Sequence, residues 1–239
     1  MSESYHYSII IPAHNEEAFL PATLRSVEAA MVSMPAYRGE VIVVDNDSTD
    51  STASLAESLG ARVITETVRN IARVRNTGVQ QSTGQLLIFL DADTLMTEEM
   101  LKTSLGTLHN PEIVAGSFLL KPDRTVSRMI QLMFFIWNMR SRWNHHCSGC
   151  FLFCKKEVFN AIGGYDESFY AAENINFSAR LNRYARRQRQ QVIVYKKYTE
   201  MCLRKMNKFS LSPRVVWDFL TIGLMRNKYK KKENCKYWY

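Results

Sequence analysis

Two aspartates separated by one alanine are the residues best suited to chemistry. Asp91 and Asp93 follow the apolar run 86–90, and their spacing lets both carboxylates face the same side if the chain stays extended. Carboxylate oxygens suit a hard cation such as Mg²⁺ or Mn²⁺, and such an ion would stabilise negative charge on a departing phosphate group. The alternative is that one of the two aspartates caps the helix predicted from residue 98.

The elements that must position these aspartates alternate between strands and helices along the first 95 residues. Short apolar runs at 7–11, 41–44, 62–65 and 86–90 predict buried parallel strands, because they are continuous rather than alternating. Segments with helical spacing lie between them, the third over 71–81. This pattern is typical of an α/β fold with a mainly parallel central sheet flanked by helices, and such a sheet binds ligands at the carboxyl ends of its strands.

The second half of the chain is less regular. We expect helices near 98–108, 126–143 and 173–187 and strands near 114–120 and 149–153, with a turn at Gly163-Gly164. A chain of 239 residues is long enough for one large α/β domain and short for two. We therefore expect a single domain over residues 1–239.

The formal net charge of +8 is concentrated late in the chain. One basic cluster holds Arg180, Arg183, Arg186, Arg187 and Arg189, and a second holds Lys228, Lys230, Lys231 and Lys232. Such clusters suit phosphate-rich partners, including anionic lipid headgroups, although solvated helix faces and a basic tail explain them as well. They lack the interleaved aromatics of a nucleic-acid-binding module, so we expect no nucleic acid partner.

The location of the protein follows from its N-terminus, its apolar segments and its cysteines. Residues 1–7 carry no secretory signal, and the apolar stretch 129–139 is too short to span a bilayer. Five cysteines, an odd number, suit free thiols in a reducing compartment. We expect a cytoplasmic protein, either soluble or peripheral at the inner face of the membrane.

A group of histidines and cysteines raises the question of a zinc site. It consists of His145, His146, Cys147, Cys150 and Cys154. The predicted strand at 149–153 would point Cys150 and Cys154 to one face and leave Cys147 opposed, which argues against zinc. A histidine of this group near a bound pyrophosphate is the other interpretation.

Three segments, taken in order, resemble the successive signatures of glycosyltransferase family 2. They are residues 8–17, 44–50 and 89–94, and the resemblance runs from about Tyr7 to Arg183. It implies a GT-A fold, a reaction that inverts the anomeric centre, and a nucleotide diphosphate sugar as donor, with a uridine nucleotide favoured. It also implies bound Mg²⁺ or Mn²⁺, a nucleotide-binding half at 1–95 and an acceptor-binding half at 96–239.

The resemblance assigns roles to residues at the ends of the strands. Asp93 would be the principal metal ligand, with Asp91 helping to hold the ribose or the ion. The donor site as a whole would comprise Pro12, Ala13, Asn15, Glu16, Asp45, Asn46, Arg73, Asp91, Ala92 and Asp93. Asp45 and Asn46 would meet the base and ribose, but Asn46-Asp47 departs from the common acidic pair followed by glycine, which puts the base preference in question. Arg73, Arg75 and Asn76 match the segment where the family places a base-contacting or structural basic residue, and an exposed helix surface is the alternative.

The acceptor half matches the family at Ser148-Gly149, at 163–167 and at 173–180, with one departure. The family places its general base at the position of Asn174, and an amide cannot accept a proton at neutral pH. Either Glu173 supplies the base, or the acceptor is already ionised, as a lipid phosphate is, or the enzyme is impaired. Arg180 would neutralise the diphosphate or pair with Glu173 on one helix face.

Two functions of different class remain. The first is an inverting glycosyltransferase that acts on a saccharide, lipid or lipid-phosphate acceptor, with a role in cell-envelope polysaccharide biosynthesis. The second is a catalytically impaired protein that retains the nucleotide-sugar pocket as a binding module or scaffold. A nucleotidylyltransferase or a dinucleotide-dependent dehydrogenase should show a glycine-rich loop after the first strand, where this chain has Pro12-Ala13-His14-Asn15.

Overall fold

The computed structural model describes residues 5–204, 229–230 and 232–235. Within this part of the chain, strands and helices follow one another as a mixed α/β fold. The strands are β1 (Tyr7–Ala13), β2 (Gly39–Asp45), β3 (Arg62–Thr65), β4 (Leu86–Leu90), β5 (Ile113–Pro122), β6 (Phe151–Lys155) and β7 (Gln191–Met201). The α-helices are α1 (Leu20–Val32), α2 (Thr52–Ser58), α3 (Ile71–Gln81), α4 (Glu98–Gly106), α5 (Arg128–Asn144), α6 (Lys156–Ala161) and α7 (Glu173–Arg187).

These strands form one central sheet in the order β3-β2-β1-β4-β6-β5-β7. The first four strands are parallel to one another, and β5 is parallel to β7. Strand β6 runs antiparallel to both of its neighbours, β4 and β5. The predicted α/β fold with a mainly parallel central sheet is therefore confirmed, with β6 as the exception.

Burial on both faces of the sheet explains why the first strands are apolar without alternation. In β1, Ile9 and Ile11 face the side covered by Leu20 of α1, whereas Ile10 faces the side covered by Val74 of α3. All three isoleucines are fully buried. Because successive side chains of a strand point to opposite faces, a sheet covered by helices on both faces needs apolar residues at every position.

The second half differs from the prediction in detail. Strand β6 begins two residues later than the predicted start at 149, and α4 is followed by a 3-10 turn at Thr107–His109. The short helix α6 and the strand β7 were not predicted. In β7 most side chains are exposed or half-buried, since it pairs only with β5 at the edge of the sheet. Its polar sequence therefore lacks the apolar run on which the other strand predictions relied.

Side-chain caps fix the start of two helices near the carboxyl edge of the sheet. The Asn70 side chain accepts a hydrogen bond from the Arg73 amide at the start of α3. The Thr97 hydroxyl accepts one from the Met100 amide at the start of α4. Thr97 thus takes the capping role that had been an alternative for Asp91 or Asp93.

The basic cluster of the arginines at 180–189 lies on α7 and at its end, and α7 has the predicted bounds 173–187. Of the second basic cluster, Lys228 and Lys231 lie outside the described residues. Among the helices of the described residues, none has the length and apolar character needed to cross a bilayer.

Gly84 and Gly106 offer a matched test of how tightly the chain packs against the start of the central strand β1. A Cβ on Gly84 would lie 2.3 Å from the Tyr7 carbonyl carbon and 2.5 Å from the Ser8 nitrogen, whereas one on Gly106 meets nothing within 4 Å. We expect Gly84→Ala to lower the free energy of unfolding by about 1–3 kcal/mol. Gly106→Ala should leave it unchanged or raise it by up to about 1 kcal/mol. Urea unfolding measures both, and an equal effect of the two substitutions would contradict this packing.

Candidate active site

The predicted donor-site residues gather where β2, β1 and β4 end side by side. Ala13 at the end of β1 is in register with Asp45 at the end of β2, and the Asn46 amide donates to the Ala13 carbonyl oxygen at 2.8 Å. Asp91 directly follows β4, which pairs with the other side of β1. Pro12 and Ala13 therefore lie between the two acidic strand ends.

The segment containing Asp91, Ala92 and Asp93 turns instead of staying extended. The Thr94 amide donates to the Asp91 carbonyl oxygen at 3.0 Å, and the Thr23 hydroxyl of α1 donates to the Ala92 carbonyl oxygen at 2.8 Å. The chain therefore does not stay extended, which was the condition under which the two-residue spacing would align both carboxylates. Asp91 contacts Arg75 and Asp93 contacts Arg204, and the charges of both aspartates act on Cys150.

Arg75 joins the donor side of the site to the acceptor side. Its Nη1 lies 2.6 Å from Oε1 of Glu173, and its Nη2 lies 3.2 Å from Oδ1 of Asp91. Arg75 is only 2% exposed. Burial works against its charge, but Tyr165, Glu173 and Asp91 around it raise the pKa of Arg75 above its ordinary value. A charged guanidinium thus lies between the predicted general-base candidate and the acidic turn.

Glu16 and Asn15 lie in a loop that is bonded to the loop after β2. The Glu16 amide donates to the Thr52 hydroxyl at 2.8 Å. The Asn15 side-chain oxygen accepts from the Thr49 amide at 2.8 Å, and Asn15 has a left-handed backbone with φ of 53°. Asn15 therefore contributes to the shape of this edge, while the buried Glu16 carboxylate faces a further arginine.

The side chains of Asp45 and Asn46 differ in the hydrogen-bonding atoms that remain for a ligand. Asp45 is buried, and its Oδ2 accepts a hydrogen bond from the Ser48 amide at 3.3 Å. Its Oδ1 is buried and has no hydrogen-bond partner among the described residues. The Asn46 side-chain nitrogen donates to the carbonyl oxygens of Glu66 and Val68, at 2.6 and 3.0 Å. Asp45 thus keeps an acceptor for a ligand, whereas the amide nitrogen of Asn46 holds the loop after β3.

Arg204, just after β7, was not predicted as a site residue. Its Nε lies 3.2 Å from Oδ2 of Asp93, and its Nη2 contacts both carboxylate oxygens of Glu16. Its guanidinium carbon lies 4.3 Å from the centroid of the Phe19 ring. Although burial opposes the charge, Glu16 and Asp93 raise the pKa of Arg204. The two acids predicted to meet the nucleotide and the metal are therefore linked by one cation, which no sequence motif indicated.

Arg73 and Arg180 have partners other than the predicted ones. Arg73 is 45% exposed at its side chain and pairs with Glu66 at 3.1 Å, which places it on the surface of α3. Arg180 donates to the Asn176 side chain at 3.0 Å, to the Ile162 carbonyl oxygen at 2.9 Å and to that of Gly164. The alternative that Arg180 pairs with Glu173 is not realised, since seven residues of helix separate them by about 10 Å and Glu173 pairs with Arg75.

Asn174 faces the loop before β6. A Cβ on Gly149 would lie 2.3 Å from the Asn174 side-chain nitrogen, so only glycine allows this approach. The side-chain oxygen of Asn174 is buried without a hydrogen-bond partner among the described residues. This amide follows Glu173 at the start of α7, the position at which the resemblance predicts the general base.

The cysteines are arranged differently from the prediction. Cys147 and Cys154 belong to the same core cluster, and burial raises the pKa of Cys147 to about 12. Cys150 precedes β6 and lies beside Asp91; burial together with the charges of Asp91 and Asp93 raises its pKa. The expectation that Cys150 and Cys154 share a face with Cys147 opposed is wrong, because Cys147 packs in the same cluster as Cys154 whereas Cys150 packs against a different one. Among the described residues no three His, Cys, Asp or Glu side chains come together as a metal site.

The acidic turn fits a cation that shares its ligands with a substrate. Asp91 and Asp93 offer hard oxygen donors, but they do not form an all-protein cage with a third ligand among the described residues. Mg²⁺ is usually held by one or two carboxylates together with water and substrate phosphates, and Mn²⁺ suits the same oxygen donors. The donor set therefore fits a Mg²⁺ or Mn²⁺ ion that arrives with a phosphorylated ligand.

Comparison with known proteins places this geometry in a family. The profile of Glycosyl transferase family 2 matches residues 8–163. The 4,4'-diaponeurosporenoate glycosyltransferase of Staphylococcus haemolyticus is 30% identical over 142 residues, which cover 55% of this chain and 36% of that protein. The undecaprenyl-phosphate 4-deoxy-4-formamido-L-arabinose transferase of Pseudomonas aeruginosa is 38% identical over 94 residues, which cover 36% of this chain and 27% of that protein. The chain thus spans about a third of the length of these curated relatives.

A solved structure shows the same fold. The glucosyl-3-phosphoglycerate synthase of Mycobacterium tuberculosis, in complex with Mn²⁺, UDP-glucose and phosphoglyceric acid, superposes with a TM-score of 0.61 at 20% identity. The superposition covers 92% of this chain and 79% of that protein. The likeness confirms the predicted GT-A fold.

Arg75 and Arg73 provide a matched test of the buried ion pair. We expect Arg75→Met to lower the free energy of unfolding by about 3–5 kcal/mol, because it leaves the buried Glu173 carboxylate without its partner. Arg73→Met, on the same helix, removes an exposed arginine whose partner Glu66 keeps hydrogen bonds from the Val68 amide and the Thr77 hydroxyl, and should cost less than about 1 kcal/mol. Adding Glu173→Gln to Arg75→Met should restore part of the loss. Urea unfolding measures all of these variants, and equal losses for the two arginine variants would refute a role for Arg75 as a buried counterion.

Proposed function

The chain belongs to glycosyl transferase family 2, and from that membership we propose that it transfers a sugar from a nucleotide diphosphate sugar to a lipid-linked or saccharide acceptor. A UDP-sugar is the favoured donor, and inversion at the anomeric carbon is the expected outcome. One observation carries this proposal: Arg75 joins the carboxylate of Glu173, next to the family's base position, to the acidic turn after β4.

On the donor side, the chain's own residues can hold the nucleoside and the charge of the diphosphate. The unpartnered Oδ1 of Asp45 can accept a hydrogen bond from a base N–H or a ribose hydroxyl. A Mg²⁺ or Mn²⁺ ion held by Asp93 and Asp91 would neutralise negative charge that develops on the departing diphosphate. Arg204 contacts Asp93 only at Oδ2, so its guanidinium lies where it would also meet the phosphates of the donor.

On the acceptor side, the positions of Glu173 and Asn174 favour an acceptor that is already ionised. Arg75 engages one oxygen of Glu173 at 2.6 Å, so that only the other oxygen is left to take a proton. Asn174, beside it, cannot act as a base. A phosphate oxygen needs no base, and the Pseudomonas aeruginosa relative is named for transfer involving undecaprenyl phosphate. We therefore place a phosphate on a lipid first among the acceptors of this chain.

The rival function is a protein that binds a nucleotide sugar without transferring it. The same Asn174 supports it, because loss of the base would stop transfer to a hydroxyl. The two functions differ in turnover: a transferase hydrolyses or transfers the donor, whereas a binding module only binds it. Calorimetry with UDP-sugars and Mn²⁺, run beside an assay of UDP release, separates them, since binding without any UDP release would favour the binding module.

We expect Asp93→Asn to reduce UDP release at least about 100-fold, because a metal ligand in this position supplies several kcal/mol of charge stabilisation. Glu112→Gln is the matched control and should keep full activity, because Glu112 is exposed and precedes β5 at the opposite edge of the sheet. The rates are measured across a Mn²⁺ titration, with EDTA as the metal-free arm. Unchanged metal-dependent turnover in Asp93→Asn would refute the proposed metal site.

We expect Asn174→Asp to raise transfer to hydroxyl acceptors, because it restores a carboxylate where the family has its base. Transfer to a lipid phosphate should change little, or fall through charge repulsion. Asn160→Asp, on the exposed end of α6, adds the same charge away from the site and should have no effect. Both acceptors are assayed with one donor. A loss of activity toward hydroxyl acceptors would contradict a base at position 174 and would favour either Glu173 as the base or a phosphate acceptor.

A further inference from the structure

Helix α5 carries a second apolar face whose large side chains are each more than half exposed. Its inner face buries Met133, Phe134 and Ser141 against the sheet. Its outer face carries large apolar side chains that are between 51% and 87% exposed: Met129, Leu132, Phe135, Met139 and Trp143. We call these five residues the outer stripe. Exposed apolar area of this extent marks an interaction surface.

The outer stripe is continuous along the helix. Its members recur every three or four residues from 129 to 143, the spacing that places side chains in one line on a helix. This distance corresponds to about 20 Å of helix. The stripe therefore runs nearly the whole length of α5 rather than forming a local patch.

The charges of α5 suit an anionic partner. Helix α5 contains three arginines and no acidic residue, and no Asp or Glu occurs between Asp123 and Glu157. Arg128 and Arg142, near its two ends, are exposed. An apolar helix face flanked by arginines, with a tryptophan at one end, has the composition of helices that lie in the interface of a bilayer.

We propose that the outer stripe of α5 inserts into the surface of a bilayer that contains anionic lipids. The apolar side chains would enter the boundary between headgroups and acyl chains, while the arginines contact the phosphates. A second copy of this chain is a less suitable occupant. In a two-fold antiparallel pairing of the stripes, Arg128 of each copy would lie near Arg142 of the other, and like charges in such contacts are repulsive.

Such docking would orient the candidate active site toward the lipid. The chain leaves α5 at Asn144 and reaches Gly149, which contacts Asn174, within five residues. Trp137 of α5 and Ile175 of α7 line one crevice together. A lipid-linked acceptor would then reach the site from the membrane surface. This orientation rests on the proposed function, but the membrane binding itself does not.

Vesicle binding by the full chain tests the proposal. We expect it to sediment with vesicles of phosphatidylcholine and phosphatidylglycerol and about tenfold less with phosphatidylcholine alone. Phe135→Ser with Trp143→Ser should weaken binding to the anionic vesicles about tenfold or more. Tyr198→Ser, which removes an aromatic side chain of similar exposure from β7, is the matched control and should bind as the parent does. Unfolding curves establish that all variants fold.

Two further measurements test the arginines and the depth of the tryptophan separately. Arg128→Gln with Arg142→Gln should lose the preference for anionic vesicles, whereas the control Arg25→Gln with Lys102→Gln, also exposed, should keep it. Lipids brominated on their acyl chains should quench tryptophan fluorescence of the parent protein and quench that of Trp143→Phe less. Equal quenching in both, or vesicle binding unchanged by the stripe substitutions, would overturn the proposal.

The membrane proposal and the proposed function can fail separately. Asp93→Asn should bind vesicles as the parent does, because the acidic turn is not part of the outer stripe. A parent protein that releases UDP but does not bind anionic vesicles would overturn only the membrane proposal. Stripe substitutions that change the molecular mass in sedimentation velocity, with vesicle binding intact, would instead assign the stripe to self-association and also overturn it.

Discussion

The Arg75 guanidinium lies in the interior with the carboxylates of Glu173 and Asp91 within hydrogen-bond distance. A charge removed from water is tolerated only where such partners surround it, and each partner then depends on the others. Strand β4 delivers Asp91, helix α3 delivers Arg75, and helix α7 delivers Glu173. Helix α7 is distant in the chain from α3 and β4, so the ion pair of Arg75 with Glu173 fixes α7 against the carboxyl ends of the strands, where a donor would bind.

A second guanidinium balances the remaining acids of the same edge. Arg204 reaches Glu16 and Asp93 from beyond β7, and it stacks on Phe19. The two arginines differ in burial: Arg75 is enclosed, whereas Arg204 keeps part of its side chain in solvent. A buried pair resists exchange because separation leaves an uncompensated charge, while a partly solvated pair can exchange one partner for another. The site thus combines a fixed counterion on the acceptor side with an exchangeable one where phosphate charge would arrive.

The strands and helices that carry Asp91, Arg75 and Glu173 were predicted from the sequence, because local patterns determine them. Strands buried on both faces are continuous apolar runs, and the bounds of α3 and α7 follow from helical spacing. The sequence did not predict Arg204, which is far along the chain from Glu16 and follows a polar edge strand that has no apolar run. The turn at Asp91 was missed for a similar reason, since the hydrogen bond from Thr23 that holds it comes from α1. Contacts between residues distant in sequence leave no periodic signal.

Helix α5 shows what the structure adds to an ambiguous sequence. From residue 129 to 137 almost every side chain is apolar, so the sequence is compatible with both a core helix and a lipid-facing one. The structure shows that the helix has one face of each kind, because Met133 and Phe134 are buried while Leu132 and Phe135 are exposed. A helix that needed only to cover the sheet would have polar side chains on its outer face. Within the described residues the apolar outer face is not explained by covering the sheet, and the arginines beside it suit phosphate groups, the same chemistry that the acidic turn would meet through a metal ion.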